Sequence, residues 1–201
     1  MGITATQFEV LKQRVAGARR SPVPVVEAAL QPLLKPRSIL GIDPSLRGTG
    51  YGIIRLAKPH PLVLAQGTIR CPASWERSRC LVKIVQTLRD LLKQHQPEVC
   101  VIEGLFFAQN LQTALLMGEA RGASLVAAAE AGLEIYEIAP RKVKQAIVGY
   151  GAAQKTAVAK MVQRMLHLEQ APEPDAADAL ALALAHAQET GRHLLTRPKK
   201  I

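Results

Sequence analysis

Four acidic residues of this chain lie where a carboxylate is costly unless it binds a cation: Asp43, Glu103, Asp175 and Asp178. The first two each end a short apolar run, and the other two open a segment made almost entirely of Ala and Leu. A buried carboxylate is unfavourable without a counterion or a hydrogen-bond network. Because the chain has a formal net charge of +10, a local group of acids indicates divalent metal held beside a polyanion.

The spacing of these residues allows a shared site. Asp175 and Asp178 are three residues apart, so they occupy one face of a helix. If the strands ending at Asp43 and Glu103 are neighbours, all four carboxylates reach one cleft. Such oxygen ligands favour Mg2+, with Mn2+ as an alternative, whereas zinc more often takes His or Cys. Two ions about 4 Å apart activate a water and stabilise the leaving oxygen in phosphodiester cleavage.

Each carboxylate also has a simpler explanation. The Asp43–Pro44 pair is equally consistent with a turn, Glu103 with a salt bridge to an arginine, and Asp175 with a helix N-cap. Asp178 is harder to explain in this way, because its neighbours along the chain are Ala and Leu. Taken together, the four residues favour the metal site.

The elements that must position these residues form a mixed α/β fold. Strands are predicted at 39–43, 51–55, 62–69, 99–103 and 133–138, and helices at 77–94, 111–130, 154–167 and 175–189. The first three strands follow one another and predict an antiparallel meander, whereas the later strands alternate with helices. The prediction is a mixed five-stranded sheet, an antiparallel meander plus parallel strands, flanked by helices.

Length and composition limit the organisation of the chain. Its 201 residues, 48% of them hydrophobic, suffice for one domain, which we place at 38–190. Residues 1–37 are predicted to be a flexible basic extension, and residues 191–201 a basic tail. The sequence pI near 9.9 favours a polyanionic partner, since Lys and Arg release counterions on binding phosphates.

The cysteines and the hydropathy pattern bear on the compartment. The three cysteines form no CxxC pair, and their odd number disfavours a disulfide framework. No segment has the length and apolarity of a membrane span or a signal peptide. These features predict a cytoplasmic protein with no membrane partner.

Several segments resemble the RuvC family of Holliday junction endonucleases. The similarity spans about residues 38–188 and lies in five segments, 39–52, 101–106, 120–123, 143–149 and 175–181. It implies an RNase H-like fold, a homodimer, Mg2+ dependence with two ions per site, and paired nicks in four-way DNA junctions. It also implies a role in recombination and repair, cooperation with the RuvAB branch-migration complex, and a preference for particular bases at the cut.

The resemblance assigns roles to individual residues. Asp43, Glu103, Asp175 and Asp178 become the catalytic metal ligands. The chain departs from typical members in its first 37 residues and at Ser45–Leu46, where Gly is common.

Five further residues are candidates for DNA binding: Phe106, Lys144, Lys155, Arg141 and Lys142. The family likeness places Lys144 and Lys155 near the scissile phosphate and Phe106 on distorted bases. Arg141 and Lys142 cluster with Lys144 after a predicted strand, where phosphate binding is plausible. Without the resemblance, we would interpret Lys155 as an ordinary solvent-exposed residue on a helix face.

Two other functions compete with a junction resolvase. One is another RNase H-like nuclease that acts on RNA–DNA hybrids or pre-ribosomal RNA. The other is a non-catalytic DNA-binding module, against which the presence of all four carboxylates argues. The Ala- and Gly-rich helix 111–130 is our candidate for the subunit contact, with internal packing as the alternative.

Overall fold

The computed structural model describes residues 37–104, 110–191 and 199–201. The predicted basic extension therefore lies outside the described residues, except for Arg37. The backbone carbonyl of Arg37 accepts a hydrogen bond from the amide of Leu56 at 2.8 Å, so Arg37 is part of the described fold.

The described residues form six strands and five helices. The strands are β1 (Ser38–Asp43), β2 (Gly48–Arg55), β3 (Leu62–Arg70), β4 (Val99–Glu103), β5 (Glu134–Ile138) and β6 (Lys199–Lys200). The helices are α1 (Arg77–His95), α2 (Leu111–Glu130), α3 (Pro140–Val148), α4 (Lys155–Met165) and α5 (Pro174–Gly191). The α/β class is confirmed.

All six strands belong to one mixed sheet with the order β3-β2-β1-β4-β5-β6. Strands β1, β2 and β3 form the predicted antiparallel meander, and β4 and β5 run parallel to β1. The sheet thus has one strand more than the five predicted. The additional strand, β6, pairs antiparallel with β5. Its two lysines show no apolar alternation, which is why the sequence predicted only a basic tail there.

The central strands are buried on both faces, as their uninterrupted apolar runs require. Leu40 and Ile42 of β1 pack in the cluster that involves α1 and α2. Ile39 of β1 belongs to the opposite cluster, formed with α3, α4 and α5. The side chains of successive strand residues point to opposite faces, so each helix layer covers one set.

Helix α5 lies directly on the sheet because glycines allow a close approach. A Cβ atom at Gly41 would collide with the backbone carbonyl of Ala179, and one at Gly50 with that of Asp175. Both glycines lie in the central strands β1 and β2. They let the backbone of α5 contact the sheet, and this fixes the position of the first turns of α5.

The sequence did not predict α3. Its segment was treated only as a basic cluster after β5, although Pro140 is favourable at the first turn of a helix. The other elements match their predicted positions closely, and α2 and β4 have the predicted bounds. Among the described helices, none is both long and apolar enough to cross a membrane.

Candidate active site

Asp43 and Glu103 lie side by side at one end of the sheet. Strands β1 and β4 are parallel neighbours, with Ile42 aligned to Ile102, so the next residue of each strand is the carboxylate. Each of the two side chains affects the pKa of the other.

Asp43 and Glu103 both have raised pKa values. Burial and, to a smaller extent, the negative charge of Asp178 raise the pKa of Asp43 to about 6. Burial and the negative charge of Asp43 raise the pKa of Glu103 to about 8. The two groups titrate as a pair. A cation placed between them favours the charged forms and reverses both shifts.

Helix α5 brings the two remaining carboxylates to the same end of the sheet. Asp175 lies in its first turn, and one of its carboxylate oxygens is 3.0 Å from where a Cβ of Gly48 would be. The charge of Asp175 also contributes to the raised pKa of Asp43. Asp178, one turn further along α5, influences both Asp43 and Glu103 electrostatically. The four predicted residues therefore share one region.

These carboxylates are not gathered tightly. Within the described parts of the chain, no three Asp, Glu, His or Cys side chains are grouped closely enough for a metal cluster. One reason is the orientation of Asp178, which accepts a hydrogen bond from the ammonium of Lys155 at 2.7 Å. This bond raises the pKa of Lys155. The lysine predicted to contact DNA thus binds one of the carboxylates.

The positions of Glu103, Asp43 and Asp175 bear on their simpler explanations, which are a salt bridge, a turn and a helix N-cap respectively. Among the ion pairs of the described residues, none involves Glu103. Asp43 is the last residue of β1 rather than part of an isolated turn. Asp175 is the second residue of α5, which begins at Pro174, so it lies in the first turn and not at the N-cap position. Asp175 can lie at the N-terminal end of α5 and still act electrostatically on Asp43.

The other predicted DNA-binding residues are distributed around this end. Arg141 and Lys142 are exposed in the first turn of α3, and Lys144 is partly buried one turn later. Phe106 lies outside the described residues, so its predicted contact with bases stays a prediction.

The sequence analysis missed the residues that hold the loop after Asp43. The buried hydroxyl of Thr49 donates to the carbonyl of Ser45 and accepts from its amide. The guanidinium of Arg47 donates to the carbonyl of Pro72 and contacts the sulfur of Cys80 at 3.1 Å. These contacts fix the loop that connects β1 and β2. The Gly-Thr-Gly sequence at the start of β2 carries no signal for such a role.

A second missed feature is an ion pair behind Glu103. Arg121 of α2 binds Glu137 of β5, and both side chains are largely buried. Glu137 is aligned with Ile102, the residue before Glu103. The pair ties α2 to the sheet next to the strand end that bears Glu103.

Comparisons with known proteins agree with the geometry. The family profile described as crossover junction endodeoxyribonuclease RuvC matches residues 39–186. A crossover junction endodeoxyribonuclease RuvC from Akkermansia muciniphila is 44% identical over 162 residues, covering 79% of this chain and 97% of the relative. One from Halorhodospira halophila is 47% identical over 149 residues, covering 74% and 89%.

Solved structures show the same likeness. RuvC of T. thermophilus in complex with a Holliday junction substrate superposes with a TM-score of 0.74 at 33% identity, covering 82% of this chain and 99% of that one. The yeast mitochondrial resolvase Ydc2, at 12% identity and a TM-score of 0.51, shares the fold.

Proposed function

This chain belongs to the RuvC family of crossover junction endodeoxyribonucleases, and on that premise we propose how its carboxylate site cleaves DNA. The chain is a hydrolase of phosphodiester bonds and acts on Holliday junctions in recombination and repair. The observation that carries the proposal is the pairing of Asp43 with Glu103 under the charge of Asp178.

We assign metal binding to Asp43, Glu103, Asp175 and Asp178. The donor set fits a hard divalent ion, because it consists of carboxylate oxygens without His or Cys. The raised pKa values of Asp43 and Glu103 support the assignment, since the pair lacks a counterion for its second negative charge. When bound, Mg2+ or Mn2+ makes a water more acidic and stabilises the leaving oxygen, and two ions per site fit this chemistry.

The surrounding residues orient the substrate. Lys144 and Lys155 neutralise the phosphate next to the cut, and Arg141 and Lys142 bind the backbone further along the same strand. Phe106 stacks on a distorted base. The loop anchored by Thr49 and Arg47 keeps Asp43 in place while DNA binds.

We propose that the enzyme works as a homodimer through an exposed face of α2. Leu111, Leu115, Gly118 and Gly122 follow helical spacing along one face of α2. Leu111 is 76% exposed and Leu115 57% exposed. No atom lies within 4 Å of where a Cβ of Gly118 or Gly122 would be. A two-fold symmetric junction needs two matched cuts, which a symmetric dimer supplies.

The remaining partners and the cellular location are inferred from membership of the family. We infer cooperation with the RuvAB branch-migration complex, and a cytoplasmic location that suits three free, buried cysteines. For the basic extension we propose phosphate contacts. Removing residues 1–36 should weaken junction binding and lower its salt dependence, and unchanged values of both would reject that role.

The decisive experiment is incubation with a synthetic four-way junction, with and without Mg2+, followed by mapping of the nicks. We expect paired, symmetric cuts that depend on the metal. An RNA–DNA hybrid of the same sequence is the comparison substrate. Cleavage of the hybrid alone would overturn the assignment.

A further inference from the structure

Lys155 is placed so that it interacts with the whole carboxylate group. Its ammonium lies 2.7 Å from Asp178, and Asp43 and Glu103 also attract it electrostatically. The residue begins helix α4, and its side chain is 68% exposed, whereas that of Asp178 is only 20% exposed. A long, mobile side chain therefore reaches from solvent to a largely buried carboxylate.

We propose that Lys155 is a built-in counterion that binds Asp178 in the cation-free enzyme and is displaced from it when a divalent ion binds. The inference deepens the proposed function and rests on it, because it presupposes metal binding at these carboxylates. It gives Lys155 a role in metal loading, beyond its predicted contact with DNA.

The charges explain why such an exchange occurs. One ammonium offsets only one of several nearby carboxylate charges, so the site keeps a net negative charge. A divalent ion carries twice the charge and is attracted more strongly by the same oxygens. A lysine on an exposed, flexible stem forms only a weak ion pair and leaves readily.

The exchange links metal loading to substrate binding. Once released from Asp178, the ammonium of Lys155 remains at the edge of the site, where the phosphate of the substrate arrives. The same charge then binds either the enzyme's own carboxylate or the DNA. Metal-loaded protein thus has one more cation available for the junction than metal-free protein.

The test measures Mn2+ affinity of the protein alone, from the electron paramagnetic resonance signal of the free ion. Lys155→Met removes the competing charge, so we expect Mn2+ to bind about three- to tenfold more tightly than to wild type. Lys155→Arg keeps the charge and should remain within about twofold of wild type. Lys93→Met, which removes an exposed lysine at the end of α1, controls for net charge and should also stay within about twofold.

A double-mutant cycle locates the effect. In an Asp178→Asn background, the gain from Lys155→Met should largely disappear, because the partner of the lysine is absent. An undiminished gain there, or unchanged or weaker Mn2+ binding by folded Lys155→Met protein, would overturn the counterion role. Absence of Mn2+ binding by the wild-type protein would instead refute the metal site itself, so the two failures are distinguishable.

Discussion

At the scale of single residues, the informative feature is a carboxyl pair with raised pKa values. Asp43 and Glu103 lie at the ends of neighbouring strands, and burial raises the pKa of each. Two carboxylates this close cannot both ionise without a compensating charge. The pair is therefore destabilising at neutral pH unless a cation joins it.

This pair predicts how stability depends on pH without divalent ions. Folding raises the pKa of both groups, so between about pH 4.5 and 8 the folded chain binds more protons than the unfolded chain. The contribution of the pair to the free energy of unfolding must then fall as pH rises through that range. Glu103→Gln should remove most of this loss, which amounts to roughly 1 kcal/mol or more. Urea unfolding with a chelator, at several pH values, measures it.

The control is Asp90→Asn, which changes an exposed carboxylate of α1. It should leave the pH dependence as in wild type. A wild-type-like slope in Glu103→Gln would contradict the interpretation that this pair binds extra protons in the folded state.

A second prediction at this scale separates chemistry from binding. Asp43→Asn and Asp178→Asn keep the size of the side chain but remove a negative charge from the proposed metal site. We expect junction binding to persist and nicking to be abolished in both variants, with Asp90→Asn active. Gel-shift and nick-mapping assays provide the two readouts. Retained nicking in either variant would remove that aspartate from the site.

At the scale of elements, the site depends on how closely α5 approaches the sheet. Ala179 and Asp175 contact strands β1 and β2 at positions where only glycine fits. Since Asp175 and Asp178 belong to α5, any outward shift of this helix moves two carboxylates away from Asp43.

A matched pair of glycine substitutions tests this dependence. Gly41→Ala should destabilise the fold by about 1–3 kcal/mol or more, because its methyl group meets the carbonyl of Ala179. Gly118→Ala places the same methyl group in open space of the single chain, so in a Leu115→Glu background, where the proposed subunit contact is removed, it should stabilise α2 by about 0.5–1 kcal/mol. Chemical denaturation compares the two. Equal tolerance of both would show that α5 can move.

These elements also show what the sequence can and cannot predict. Apolar runs ending in acids predicted β1 and β4, because a strand buried on both faces has few alternatives. Helix α3 was missed because its nine residues follow a strand closely and begin with proline. The Lys155–Asp178 hydrogen bond and the bond from the Thr49 hydroxyl to Ser45 depend on side-chain directions. Packing between segments sets these directions, and no local sequence pattern encodes them.

At the scale of the whole molecule, charge and exposed apolar surface point to two kinds of partner. The net charge of +10 suits a nucleic acid. The exposed face of α2 combines large apolar side chains with glycines that allow close helix contact. We propose that the two features serve different contacts, one with DNA and one with a second copy.

The α2 face yields the last prediction. Leu115→Glu places a charge in the middle of the proposed interface and should convert the dimer to a monomer, which light scattering after size-exclusion chromatography detects. Val82→Glu, a change at an exposed apolar residue of α1, is the control and should leave the mass unchanged. A wild-type mass for Leu115→Glu would place the subunit contact elsewhere.

Because α5 follows β1 to β5 along the chain, two of the four proposed metal ligands are synthesised after those five strands. A nascent polypeptide that ends at residue 170 contains Asp43 and Glu103 but neither aspartate of α5. Under the proposed assignment, such a fragment cannot complete the metal site.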